Sequence, residues 1–156
     1  MKTALILLSV LLTALPSFAA QSDPVGEKAM HDYVLTMSKV KAFGAALEAT
    51  EAAVKKDPAL KAEIDKSSEE PDQTFADLKA RFDHHPKLYA FFEKQGLSKD
   101  DAILVPLTLM NAGSVAQYPQ IAEKMKATVS SQQIAFYKEH QEELQKLKFI
   151  QGGGGE

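Results

Sequence analysis

The residues best suited to bind a transition metal are the four histidines: His31, His84, His85 and His140. A histidine site needs two or three ligands that converge, such as two histidines four residues apart on one helix face, or a histidine with a carboxylate. No pair of these histidines has that spacing. His84 and His85 are adjacent and therefore point in different directions, just before Pro86. We predict no metal site, and we predict ordinary surface or capping roles for the histidines.

The sequence lacks the patterns that nucleophilic or acid–base catalysis requires. It contains no cysteine, no Gly-x-Ser-x-Gly motif and no glycine pattern of a nucleotide-binding loop. Three pairs of adjacent acids could supply two carboxylates to one site: Glu69-Glu70, Asp100-Asp101 and Glu142-Glu143. They fall in a polar loop, at a helix start and on a polar helix face, where carboxylates mainly increase solubility. We predict no enzyme activity, no catalytic residue and no cofactor.

Two polar residues, Thr108 and Asn111, interrupt an otherwise apolar stretch. Helical proteins bind small molecules between helices, with a few polar groups that fix the orientation of the ligand. On this interpretation Thr108 and Asn111 line a ligand pocket. The alternative is a structural role, in which Thr108 bonds to the carbonyl four residues earlier and Asn111 bonds to a neighbouring helix or loop. The structural role is the favoured interpretation, and the pocket remains the functional hypothesis.

The element that would position these two residues is a helix over residues 102–116. The stretch AILVPLTLMNAGSVA is apolar on nearly every side, which is typical of a helix surrounded by other helices. Pro106 lies inside it and predicts a kink near Ala102, because proline lacks an N–H and its ring clashes with the preceding turn. This stretch of 15 residues is shorter than the roughly 20 apolar residues that a membrane span requires.

The remaining helices are predicted from apolar spacing, prolines and capping residues, over about residues 37–54, 58–66, 75–84, 88–95, 119–126 and 131–147. The secondary structure of residues 23–35 has two interpretations. Pro24 can begin a short helix, whereas Tyr33 to Leu35 can equally be extended. No convincing strand is found. The sequence therefore predicts an all-α fold, a bundle of about five to seven helices around the central apolar helix.

The first residues are predicted to be a signal peptide, over residues 1–19. Lys2 precedes a short apolar run, and Ser17 and Ala19 give the small-x-small pattern before a cleavage site after Ala19 or Ala20. We therefore expect an exported protein, periplasmic or extracellular, with one helical domain over residues 20–150. Residues 151–156 are glycine-rich and are expected to form a flexible tail.

The charge of the chain and its lack of cysteine argue against nucleic acid and a membrane as partners. The formal net charge is −3, with no concentrated lysine or arginine patch of the kind that binds nucleic acid or anionic lipid. No cysteine follows the predicted cleavage site to accept a lipid. The sequence therefore predicts no nucleic-acid partner and no stable membrane anchor.

Two stretches resemble known exported helical proteins. Val129-Ser130-Ser131-Gln132-Gln133 is similar to the Leu-Thr-x-x-Gln element of the small periplasmic helical chaperones. Leu35-Thr36-Met37, followed later by Phe92-x3-Gly96-Leu97-Ser98 and Leu107-Thr108-Leu109-Met110, resembles a group of uncharacterised secreted helical bacterial proteins. The second resemblance implies an exported α-helical domain of unknown function and brings no active-site residues.

The function expected from the sequence is non-catalytic binding. A small apolar ligand or a protein of the cell envelope is the expected partner. The alternative is a periplasmic helical chaperone, which requires a large exposed apolar concavity, whereas a ligand binder requires a cavity. An enzyme with an unrecognised site is the third possibility.

Overall fold

The computed structural model describes residues 23–68 and 74–151, and within these ranges the chain forms helices and no strand. The predicted all-α fold class is confirmed. The predicted signal peptide and the glycines at 152–155 lie outside the described residues. No helix in the described ranges combines the length and apolar character that crossing a membrane requires.

The described residues contain ten α-helices and one 3₁₀ helix, in the order α1 (Pro24–Asp32), α2 (Met37–Val54), α3 (Pro58–Ser67), α4 (Phe75–His84), α5 (Pro86–Glu93), α6 (Lys99–Gln117), the 3₁₀ helix (Pro119–Ile121), α7 (Ala122–Met125), α8 (Ser131–Glu139), α9 (Gln141–Leu144) and α10 (Lys148–Gln151). This number exceeds the predicted five to seven. The difference arises at α1, which the sequence left open, at the last predicted helix, which the structure divides into α8 and α9, and at α10, which follows that predicted helix.

Local capping residues explain why most boundaries were predictable. Thr36 begins α2 and accepts a hydrogen bond from the Lys39 N–H at 3.3 Å. Ser98 begins α6 in a capping box, in which Asp101 accepts a bond from the Ser98 N–H at 3.1 Å. Gly96, before α6, has φ +78°, the left-handed conformation that glycine adopts without strain.

The last predicted helix, over residues 131–147, is divided at His140. His140 has φ −102° and ψ 11°, outside regular α-helical geometry, and separates α8 from α9. Neither glycine nor proline occurs in this stretch, so no local residue signals the break. The single long helix predicted here is therefore wrong.

Helix α6 occupies the central position that its apolar sequence predicted. It contacts α1, α2, α4, α5, the 3₁₀ helix, α7 and, most extensively, α8. Its buried side chains include Ile103, Leu104, Val105 and Leu109. The helix continues from Lys99 to Gln117 through Pro106.

Aromatic packing links the other helices to this core. Phe92 of α5 lies with its ring centroid 5.6 Å from the rings of both Phe43 in α2 and Phe82 in α4. A second, smaller apolar cluster contains Ala112, Val115 and Val129 beneath the 3₁₀ helix and α7. Helices α1 and α8 also contact α6, and the candidate site lies where α8 meets the chain after α1.

Candidate functional site

A groove of about 210 Å³ lies between helix α8 and the non-helical segment that joins α1 to α2. We call that segment, Tyr33–Thr36, the linker. Three linker residues and five residues of α8 line the groove: Tyr33, Val34, Leu35, Gln132, Gln133, Ala135, Phe136 and Glu139. The groove is therefore formed by two parts of the chain that are about 100 positions apart, since the Gln133 and Tyr33 that meet there are separated by 100 residues.

The α8 side of the groove is one face of the helix. Residues at spacings of three, four and seven positions lie on the same face of an α-helix. Gln132, Ala135, Phe136 and Glu139 satisfy these spacings and follow the groove for about 10 Å of helix rise. Ala135 and Phe136 make its middle apolar, whereas Gln132 and Glu139 place polar groups at its two ends.

The linker is extended at both of its ends, at the C-cap of α1 and the N-cap of α2. Tyr33 has φ −69° and ψ 130°, and Thr36, the N-cap of α2, has φ −136° and ψ 148°. Burial alternates along it as expected for extended chain: Tyr33 is half-buried, Val34 is 54% exposed and Leu35 is buried. An exposed valine therefore stands at the groove beside a buried leucine that anchors the linker.

Gln133 holds the linker against α8. Its side chain is buried, and its amide Nε2 donates to the carbonyl oxygens of Met30 at 2.6 Å and Tyr33 at 2.7 Å, with His31 further away at 3.3 Å. Its Oε1 accepts from the Ser130 N–H at 3.0 Å. One side chain therefore caps the start of α8 and satisfies carbonyls at the end of α1.

The Tyr33 ring is held at its other end by Asp101 of α6. The Tyr33 hydroxyl donates to Asp101 Oδ1 at 2.6 Å, and Lys39 Nζ lies 2.7 Å from the same oxygen and 4.7 Å from the Tyr33 ring centroid. The backbone and the hydroxyl of Tyr33 are thus fixed by two different helices, which makes this wall of the groove rigid.

The surroundings of Asp101 and Tyr33 favour a charged carboxylate on Asp101 and a neutral phenol on Tyr33. Burial by itself would raise the pKa of Asp101, but hydrogen bonds from Lys39, Tyr33 and Ser98 outweigh it and hold that pKa well below its usual range. Burial, together with the hydrogen bond to Asp101, raises the pKa of Tyr33 above its usual value. The phenol is therefore a fixed hydrogen-bond donor, and it does not serve as an acid or a base near neutral pH.

Backbone groups of the linker provide unused hydrogen-bonding capacity. Within the described part of the chain, the N–H and C=O groups of Val34 and Leu35 make no hydrogen bond. Glu139, at one end of the groove, is exposed and forms no ion pair with another described residue. A ligand in the groove therefore meets an apolar middle, free peptide groups on one side and a carboxylate at one end.

The two residues predicted to line a ligand pocket lie elsewhere. Thr108 is fully buried and its hydroxyl donates to the Leu104 carbonyl at 2.5 Å, the bond to the preceding turn that the structural interpretation expects. Asn111 is partly buried, with Nδ2 3.8 Å from the Met30 sulfur. Neither residue is among those that line the groove at α8. The ligand site at Thr108 and Asn111 stays a prediction.

The histidines and paired acids are spread over several elements. His31 lies 2.9 Å from Asp32, His85 is buried between α4 and α5, and the ring of His140 lies 4.7 Å from that of Phe136. Residues 23–68 and 74–151 hold no group of three potential metal ligands. Of the acids, Glu143 pairs with Lys41 at 2.6 Å, and the Glu69-Glu70 pair lies outside the described residues.

Comparisons with protein-family models, curated proteins and solved structures give no match to this chain. The site must therefore be interpreted from its own geometry.

The sequence did not predict the groove, although residues on both of its sides carry local signals. The spacing Ser130-x-x-Gln133 is that of a capping box, and Tyr33 to Leu35 can be an extended segment. No local signal indicated that Gln133 reaches the carbonyls of α1.

Proposed function

We propose that this protein is an exported, non-catalytic binding protein whose groove between the linker and α8 accepts a small apolar group. The observation that carries the proposal is the groove itself, which is half-open, has an apolar middle and is bordered by hydrogen-bonding groups that the described chain does not use. Binding sites typically combine an apolar surface with a few polar groups that orient the ligand.

The size of the groove limits what it accepts. Its volume of about 210 Å³ is smaller than the roughly 300–1,000 Å³ of pockets that hold drug-sized ligands or cofactors. A cavity of roughly 150 Å³ is enough for benzene. The groove therefore suits one aromatic ring or one large aliphatic side chain, and a nucleotide or a haem is too large for it.

The exposed surface supports the chaperone alternative less well than it supports binding of a small apolar group. The described residues expose three large hydrophobic side chains, Val25, Val34 and Tyr118. A chaperone cradle requires a contiguous apolar surface of several hundred Å². The groove is a smaller and more specific feature, so we favour binding of a defined group.

Indole, titrated into the isotopically labelled protein, tests this proposal. We expect chemical-shift changes at residues 33–35 and 132–139, with a millimolar or tighter affinity. Ala135→Trp fills the groove from within and should weaken indole binding at least tenfold. Ala52→Trp, at an exposed position of α2, is the matched control and should change the affinity less than twofold.

The absence of any shift at saturating indole would overturn the proposal, as would equal binding by the wild type and Ala135→Trp. Export requires a separate measurement: intact mass of the protein recovered from a bacterial periplasm. A chain that begins at Ala20 or Gln21 is expected, and retention of residues 1–19 contradicts export by this signal.

A further inference from the structure

We infer that the ligand of the groove is an extended peptide segment of about three residues, with one large apolar side chain beside a lysine or arginine. The proposal rests on the function proposed above and specifies its ligand. The deciding juxtaposition is a linker whose peptide groups have no partner among the described residues, an apolar helix face opposite it and, at one end, a carboxylate that no described cation pairs with.

The linker offers a partner strand to the peptide. Peptide groups alternate between the two edges of an extended chain. The Tyr33 carbonyl accepts a hydrogen bond from Gln133 of α8, and the alternation of an extended chain places the N–H and C=O of Leu35, two residues later, on that same edge. Within the described residues, neither Leu35 group has a partner. A peptide that pairs with Leu35 adds a strand to this edge, a common mode of peptide recognition.

The length of the groove sets the length of the peptide. Gln132 and Glu139, at the two ends of the α8 face, are separated by about 10 Å of helix rise. Three residues of extended chain span about 10 Å. The central residue then lies opposite Ala135 and Phe136, where the volume accommodates one large apolar side chain.

Charge sets the identity of the neighbouring residue. Among the residues that line the groove, Glu139 alone is charged, and none of the described cations pairs with it. A lysine or arginine one position from the apolar residue reaches this carboxylate from an extended backbone. An acidic residue at the same position is repelled.

Three capped peptides test the ligand class: acetyl-Gly-Phe-Lys-amide, its analogue with Glu in place of Lys, and its analogue with a methyl group on each backbone nitrogen. Isothermal titration gives the affinities. We expect the Lys peptide to bind at least tenfold more tightly than indole and than either analogue. Glu139→Gln should reduce the preference for Lys over Glu to less than twofold, whereas Glu93→Gln, an exposed control on α5, should retain it.

Amide hydrogen exchange tests the strand pairing directly. The Leu35 amide should exchange at least tenfold more slowly when the Lys peptide is bound, and the Val34 amide should change less than threefold. Failure of indole to bind contradicts the proposed function and, with it, the peptide inference. Binding of indole with equal affinities for the three peptides, or peptide binding without protection of Leu35, overturns the peptide inference and leaves the proposed function standing.

Discussion

Replacement of Gln133 by methionine is expected to destabilise the fold strongly and to loosen the groove. Methionine has nearly the same length and shape but neither donates nor accepts a strong hydrogen bond. The change removes the donor that satisfies the carbonyls of Met30 and Tyr33, and the acceptor that caps the Ser130 N–H. The volume of the buried side chain is almost retained, so the effect isolates the hydrogen bonds.

The magnitude follows from the number of groups that lose their partner. The Met30 carbonyl also accepts a hydrogen bond from the Tyr33 N–H at 3.3 Å, so it keeps one partner in the variant. The Tyr33 carbonyl has no second partner in the described chain, and the Ser130 N–H loses its cap. A buried group left without a partner costs about 1–3 kcal/mol, and loss of a cap costs about 1 kcal/mol. We expect a total loss of about 2–4 kcal/mol.

Urea-induced unfolding followed by circular dichroism measures this loss. Gln132→Met changes the exposed neighbour and should alter the free energy of unfolding by less than about 0.5 kcal/mol. Equal stabilities for Gln133→Met and Gln132→Met would show that water replaces the lost bonds. In that case Gln133 does not hold the linker and the groove is not rigid.

Gln133→Glu adds a pH test of the same geometry. Its carboxylate still caps Ser130 but faces carbonyl oxygens where an amide donated, so burial and repulsion raise its folded pKa above the unfolded value of about 4.3. The protonated form is favoured by folding, so the variant should gain stability relative to wild type as pH falls from 7 towards 4. A stability difference independent of pH would contradict this orientation of the amide.

Four further predictions are measured by the same unfolding assay. Asp23→Ala removes a buried carboxylate that accepts bonds from the first turns of α1 and α4, at 3.0 and 2.6 Å, and should cost about 2–4 kcal/mol; a loss under about 1 kcal/mol contradicts it. The folded pKa of Asp101 is depressed, so its contribution is present above its unfolded pKa of about 3.9 and is lost as pH falls. Asp101→Asn should therefore be destabilised at pH 7 and show a shallower loss of stability below pH 4; parallel acid limbs for both proteins would refute this. Leu109→Ala should cost about 2–5 kcal/mol because the side chain is buried, whereas half-buried Leu107→Ala should cost clearly less, and equal losses would contradict the burial of α6. Asn111→Leu should change stability by less than about 1 kcal/mol, because the hydrogen bond it loses is to a weakly accepting thioether sulfur; a larger loss would identify a stronger role in the core.

The boundaries of several helices could be predicted because the signals for them are local. Thr36 before α2, and Thr74 with Asp77 at the start of α4, cap their helices with side chains only three residues away. Pro58 and Pro86 each occupy the first position of a helix, where proline costs nothing. The predicted ranges 37–54 and 75–84 are therefore confirmed.

The break at His140 could not be predicted from local residues. The stretch around it carries good helix formers and apolar residues at helical spacing. The ring of His140 packs near Phe136. Leu144, beyond the break, is among the most buried side chains of the core. Burial of Leu144 is a tertiary constraint, and helix propensity differs by only tenths of a kcal/mol between most residues, so packing can override it.

The groove was missed for a related reason. Thr108 and Asn111 were selected because polar residues are conspicuous in an apolar helix, and that reasoning uses only neighbours in sequence. Gln133 looks like an ordinary capping residue until its distant partner is known, since its amide bonds carbonyls about 100 positions earlier in the chain. Contacts at such a separation depend on how α1 and α8 both pack on α6, which no local pattern specifies.

The arrangement around Tyr33 explains how a short unpaired edge can persist in a helical protein. An exposed edge of extended chain is normally a risk for unwanted pairing, and proteins limit it by making such segments short. Here the linker has four residues, Gln133 fixes its backbone and Asp101 fixes the hydroxyl of Tyr33. A peptide that pairs with Leu35 then meets a segment already held in the extended conformation, so little backbone entropy is lost on binding. The contacts that stabilise the junction of α1, α6 and α8 therefore also hold the backbone of Tyr33 in place.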